Sequence, residues 1–158
     1  MGSKKNSPSQ KTKHHLIPRS RCQKGEGQKN IRTVPRCYHE AWHNLFANMT
    51  PFEVIVCIVY RRAPVGYFSK VELDCEWENN KHSFRLESQP TEPIERMITV
   101  YAEKLDSRYS DWQFLFRDKT FDIVIAEIVT AWAPEGFFQH VLIEGHYNGQ
   151  YFRFSHDS

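Results

Sequence analysis

A chain of 158 residues with 40% hydrophobic and 14% aromatic content can bury a core, as one domain or as two small ones. The apolar runs are short: Val54 to Tyr60 is far below the roughly twenty residues of a membrane-spanning helix, so membrane insertion is not expected. The net charge of +2 averages two unlike parts. Residues 1–37 carry ten Lys/Arg against the single acid Glu26, giving +9, whereas residues 38–158 carry eleven Lys/Arg against eighteen Asp/Glu, giving −7.

The N-terminal stretch MGSKKNSPSQKTK is polar throughout, so no signal peptide is expected and a cytoplasmic setting follows. Cys22, Cys37, Cys57 and Cys75 lie singly, without a C-x-x-C pair, and are expected to be reduced thiols that pack as small apolar groups. A basic segment joined to an acidic body predicts a polyanion-binding N-terminus and a separate role for the rest.

In chain order, residues 1–12 lack apolar periodicity and are expected to form a flexible basic arm. Two β-compatible runs, Lys13 to Ile17 and Asn30 to Val34, flank a turn-rich segment with Pro18, Gly25 and Gly27, which predicts a two-stranded ribbon with a long loop. Pro35 stands where a helix would begin, and Trp42, Leu45 and Phe46 recur at helical spacing as far as Asn48. Thr50-Pro51-Phe52-Glu53 predicts a second helix start with a capping box, and the run FEVIVCIVY suits a helix to Arg62 or, by its β-branched residues, a strand. Pro64 and Gly66 mark an expected boundary, dividing the chain into 1–12, 13–63 and an acidic α+β part, 64–158.

Beyond that boundary, Val71, Leu73, Cys75 and Trp77 alternate with acids and turn at Asn79-Asn80 into Ser83 to Leu86, a predicted hairpin with one wet face. Residues 92–132 read as mostly helical, with Ile94, Met97, Ile98, Tyr101 and Leu105 on one stripe. A last hairpin turns on Asn148-Gly149. No internal repeat is evident after residue 12. The fold class expected is α+β: a ribbon and helix, then two β-hairpins with central helices.

Four of the eight histidines lie between residues 14 and 43. His39 and His43 in HEAWH are four apart, so on a helix both rings leave one face a turn apart and can share a metal ion. His14 and His15 are neighbours on a strand and point to opposite faces, so only one of them can join the same ion. Three imidazoles would leave coordination positions open, as a catalytic ion needs. Trp42 is expected to face away from that side, into the core, and His82, His140, His146 and His156 carry no ligand spacing.

The set formed by His14-His15 with the following IPRS, Asn30, His39 and His43 resembles the HNH nucleases of the ββα-metal fold. Its spacing is similar to that of the DNase-type colicins, and AWHNLFANMTP resembles the corresponding part of small bacterial and phage HNH proteins. The likeness covers roughly residues 13–55. It implies an N-terminal ββα-metal motif over 13–63, with His14, His39 and His43 binding one divalent ion (zinc, nickel, manganese or magnesium). It also implies His15 as general base, Asn30 as the residue that holds the loop and aims His15, and DNA as substrate. Where many family members carry Gly-Gly after the serine, this loop reads Ser20-Arg21-Cys22-Gln23-Lys24. Arg19, Arg21, Lys24, Arg32 and Arg36 are candidate contacts to the DNA backbone.

Two other readings stand beside the nuclease. An inactive module could keep the motif for nucleic-acid or protein binding, or the acidic part could engage a protein partner or act as an inhibitor that imitates DNA.

Overall fold

The structure is a computed structural model that describes residues 10–22, 30–87 and 109–158. Strand β1 (Lys11–His15) pairs antiparallel with β2 (Ile31–Pro35), and helix α1 (Arg36–Phe46) follows directly, with Pro35 at its N-cap. The ribbon starts at Lys11, two residues before the expected Lys13. Lys11 and Thr12 find partners in Pro35 and Val34, and this extends the pairing into part of the expected arm. Most of the arm, and the stripe from Ile94 to Leu105, lie outside the described residues.

Helix α2 (Pro51–Cys57) starts as expected: the Thr50 hydroxyl accepts from the Glu53 N–H, and the Glu53 carboxylate accepts from the Thr50 N–H. It runs into a π-helical turn, Ile58–Arg62. Two hairpins, β3 (Phe68–Trp77) with β4 (Asn80–Leu86) and β5 (Phe138–Tyr147) with β6 (Gln150–Asp157), form one antiparallel sheet in the order β4-β3-β5-β6. Between them lie α3 (Tyr109–Phe116) and α4 (Phe121–Ala131). The first hairpin turns on Glu78-Asn79, one residue before the expected Asn79-Asn80, because Trp77 pairs with Asn80 and the two turn residues take φ of 49° and 67°. The second turns on Asn148-Gly149 as expected, with φ of 50° and 77°.

Those matching angles belong to a larger regularity, which overturns the expectation of no internal repeat. Trp42, Leu45, Phe46, Thr50, Val54, Ile55, Ile58, Val59, Ala63, Pro64, Gly66, Phe68, Val71 and Phe84 each recur unchanged 70 positions later, from Trp112 to Phe154. The backbone repeats with them. The bond from Tyr67 N–H to the Pro64 carbonyl (3.1 Å) returns as Phe137 to Pro134 (3.0 Å). Likewise Glu76 N–H to the Phe137 carbonyl (3.0 Å) is mirrored by His146 N–H to the Tyr67 carbonyl (3.1 Å). Each copy is two helices followed by a hairpin.

The copies meet through their first strands. Phe68 pairs with Gly145 as Phe138 pairs with Cys75, and Glu72 pairs with Leu142, its own counterpart, so an approximate twofold axis passes between these two residues. The contact is isologous, as in a symmetric dimer, but within one chain. The repeated residues are mostly core positions: the helices pack on one face of the sheet, and a single cluster of buried side chains extends from Leu16 and Ile17 through Phe46 and Ile58 to Val124, Ile128 and Ile143. The expected break at residues 63 and 64 falls inside the first copy. No helix among the described residues is long and apolar enough to cross a membrane.

Candidate metal centre

β1 and α1 bring His14, His39 and His43 together. One ring nitrogen from each lies within 4.8 Å of the other two. The His39 and His43 rings are 4.7 Å apart, as i, i+4 spacing on α1 requires, and His14 lies 5.0 Å and 5.4 Å from them. His15, the next residue of the strand, is not one of the converging three, consistent with the alternation of side chains along a strand.

Hydrogen bonds at the outer edge select which nitrogen of α1's imidazoles faces inward. The Ala47 carbonyl lies 3.4 Å from His43 Nδ1; a carbonyl only accepts, so Nδ1 carries the proton and Nε2 keeps its lone pair. Thr12 Oγ1 lies 2.9 Å from His39 Nδ1 and donates to the Val34 carbonyl at 3.4 Å, so the hydroxyl accepts from Nδ1–H and leaves Nε2 free in the same way. This relay is the usual support of a metal-binding histidine. Thr12 was expected in the arm; only the extra length of the ribbon puts it here.

His14 is 1% exposed, and among the described residues neither of its ring nitrogens has a hydrogen-bond partner. A buried polar group without a partner costs about 1–3 kcal/mol. Burial, then the neighbouring imidazoles of His39 and His43, push its pKa down to about 3. The His39 pKa is also lowered, by burial and then by His43. Both rings are therefore neutral at pH 7, the form that donates a lone pair to a cation. The donor set and the orphaned His14 nitrogens fit one divalent ion, with room for further ligands.

Asn30 is 2% exposed and ties the end of β1 to the start of β2. Its Oδ1 accepts from the Ile17 N–H at 2.7 Å and its Nδ2 donates to the Ile17 carbonyl at 3.0 Å, while the Asn30 carbonyl accepts from the Leu16 N–H at 2.8 Å. The backbone just past His15 is thus clamped at three points.

The second copy forms one wall. Trp132 stacks on Trp42 at 4.3 Å and 6°, and its ring stands edge-on to His14 at 5.3 Å. Trp42 is buried as expected, yet it also meets His14, at 5.9 Å, rather than turning fully away. In the repeat, His43 corresponds to Gln113 and His39 to Tyr109, so the imidazole pair occurs in the first copy alone.

The candidate phosphate contacts separate. Arg19 is exposed in a short 3-10 turn, and Arg21 in the same turn is engaged with Glu53 (2.7 Å) and the Asn48 carbonyl (3.3 Å). Arg36 pairs with Glu40 one turn along α1 at 2.8 Å. Arg32 lies over Trp132 at 4.5 Å, and Lys24 lies outside the described residues. On the sheet's wet face the acids are paired: Asp74 with Arg85, Glu144 with Arg153, and Glu72 with His140, whose other nitrogen meets Asp157 at 2.5 Å. Compared with family models, curated proteins and solved structures, the chain matches none of them.

Proposed function

We propose that the protein is a metal-dependent endonuclease of the HNH type, with a ββα-metal motif formed by β1, β2 and α1, hydrolysing DNA phosphodiester bonds. The observation that carries this reading is the convergence of His14, His39 and His43 with both His14 nitrogens buried and unbonded, next to a strand neighbour, His15, outside the cluster. His14, His39 and His43 would hold one divalent ion, zinc, nickel, manganese or magnesium, which polarises the scissile phosphate and stabilises charge on the departing oxygen. His15 takes the proton from the attacking water, a role worth about 10² to 10⁴ in rate. Asn30 keeps that base in place by clamping Ile17, and the basic segment before residue 37 draws the polyanion in. The acidic C-terminal part, 64–158, is proposed as the region that engages a protein partner.

The test is plasmid nicking with each metal in turn. His15→Ala should lose at least about a hundredfold in rate and keep its metal, whereas His43→Ala should lose the metal. Cutting by His15→Ala at the parental rate sinks the assigned base. Stoichiometric metal and DNA binding without product under any metal would instead favour a non-catalytic binding module.

A further inference from the structure

Beside the three histidines lies a cleft of about 240 Å³, in which Arg32, one of the candidate backbone contacts, meets residues of the second copy that the sequence does not single out. One wall comes from the ribbon and α1, with Arg32, Pro35 and Tyr38, and the other from the second copy, with Lys119, Glu127 and Trp132. Arg32 stands directly opposite His14 in the β1–β2 pairing, so the two side chains leave the same face of the ribbon.

The cleft holds unused hydrogen-bond donors. Trp132 is 3% exposed and its Nε1–H has no partner among the described residues. Arg32 Nη1 is buried, and among the described residues it has no hydrogen-bond partner and Arg32 forms no ion pair. The indole holds the guanidinium at 4.5 Å by a cation–π contact, which fixes the fork without using its N–H groups. Among the described residues the one carboxylate lining the cleft, Glu127, is paired with Lys119. A buried guanidinium nitrogen on a half-buried arginine and an indole N–H, both lacking acceptors among the described residues, call for an anion with several oxygens.

We propose that this cleft is a phosphate subsite, which grips a backbone phosphate of the DNA strand flanking the one at the metal centre. The second copy thereby supplies part of the nucleic-acid grip. This placement rests on the nuclease reading, but the grip itself does not need catalysis. Arg32 makes the bidentate contact, and Trp132 both holds Arg32 and donates its own N–H.

The experiment uses the full chain stripped of metal with a chelator, so that cutting and metal ligation drop out. Binding of a short labelled DNA duplex is followed by fluorescence anisotropy across a salt series. Arg32→Met should bind about tenfold more weakly, with a slope of log affinity against log salt shallower by about one, while Arg153→Met on the far sheet face should match the parent. On the unmutated chain, the Trp132 indole N–H resonance, assigned from Trp132→Phe, should shift with added inorganic phosphate at constant ionic strength. A folded Arg32→Met with unchanged affinity and slope, or an indole resonance that phosphate does not move, overturns the subsite. A parallel nicking assay keeps the two ideas apart. Failure to cut with every metal sinks the nuclease and leaves an Arg32-dependent grip standing, whereas an unchanged slope with normal cutting does the reverse.

Discussion

His39 and His43 are oriented by bonds at Nδ1, whereas His14 is held by burial among aromatic rings. The difference gives a residue-level prediction. Thr12→Val keeps the shape of the side chain but removes the oxygen that accepts from His39 Nδ1, so metal affinity should fall about tenfold or more, with His39 free to rotate. Chelator competition would measure it, and an unchanged affinity would show that the relay does not orient the ring. The imidazole pair on α1 was readable in the sequence because i, i+4 spacing is a local property of a helix. Asn30 was readable only through the family likeness. Thr12 and Trp132 were not readable at all: one depends on where a strand pairing stops, and the other reaches the site from 118 residues away in sequence from His14.

Among the elements, the sheet carries its own charge network across three strands. His140 on β5 is held between Asp157 on β6 and Glu72 on β3, and these two hydrogen bonds, Asp157's first, raise its pKa above 6.5. A raised histidine pKa stabilises the fold fully below the unfolded value, and that contribution fades as pH rises through the folded value. Glu72 runs the other way: its pKa is lowered chiefly by the His140 bond, so its share persists above its ordinary carboxylate range and is lost in stronger acid. Urea midpoints of the parent and His140→Gln should therefore differ most in mildly acidic solution and converge in alkaline solution. A gap that widens with pH would contradict this account. In the sequence His140 carries no ligand spacing, and its role is not legible there because its partners lie on other strands. The turns were more accessible: Asn148-Gly149 is a strong local signal, whereas Glu78-Asn79 was missed by one residue because Asn79-Asn80 is the better turn pair on composition.

At the scale of the whole molecule, the division expected at residue 63 has no counterpart in the core. Trp42 stacks on Trp132, Phe46 meets Phe116, and Ile17 and Ile55 belong to the same buried cluster as Val124 and Ile143. A fragment of residues 1–63 would expose these side chains to water, at about 25 cal/mol for each Å² of apolar surface. It should show no cooperative thermal transition, with or without zinc, while the full chain melts in one step. A sharp melt of the fragment by circular dichroism would refute the shared core. The α+β class was legible from hydrophobic periodicity, but the repeat was not, since its matches are scattered apolar positions and the most conspicuous motif, HEAWH, is present once.

The axis between Glu72 and Leu142 bears on how such a molecule can change. In a dimer of identical subunits every substitution is made twice, and a side chain tolerated on one side must also be tolerated on the other. Fusing the halves removes that obligation. Arg62 and Trp132 occupy matching positions, and each packs over the tryptophan of the opposite half, guanidinium on Trp112 in one case and indole on Trp42 in the other. One flank can thus specialise around the imidazoles while its twin drifts toward purely structural duty.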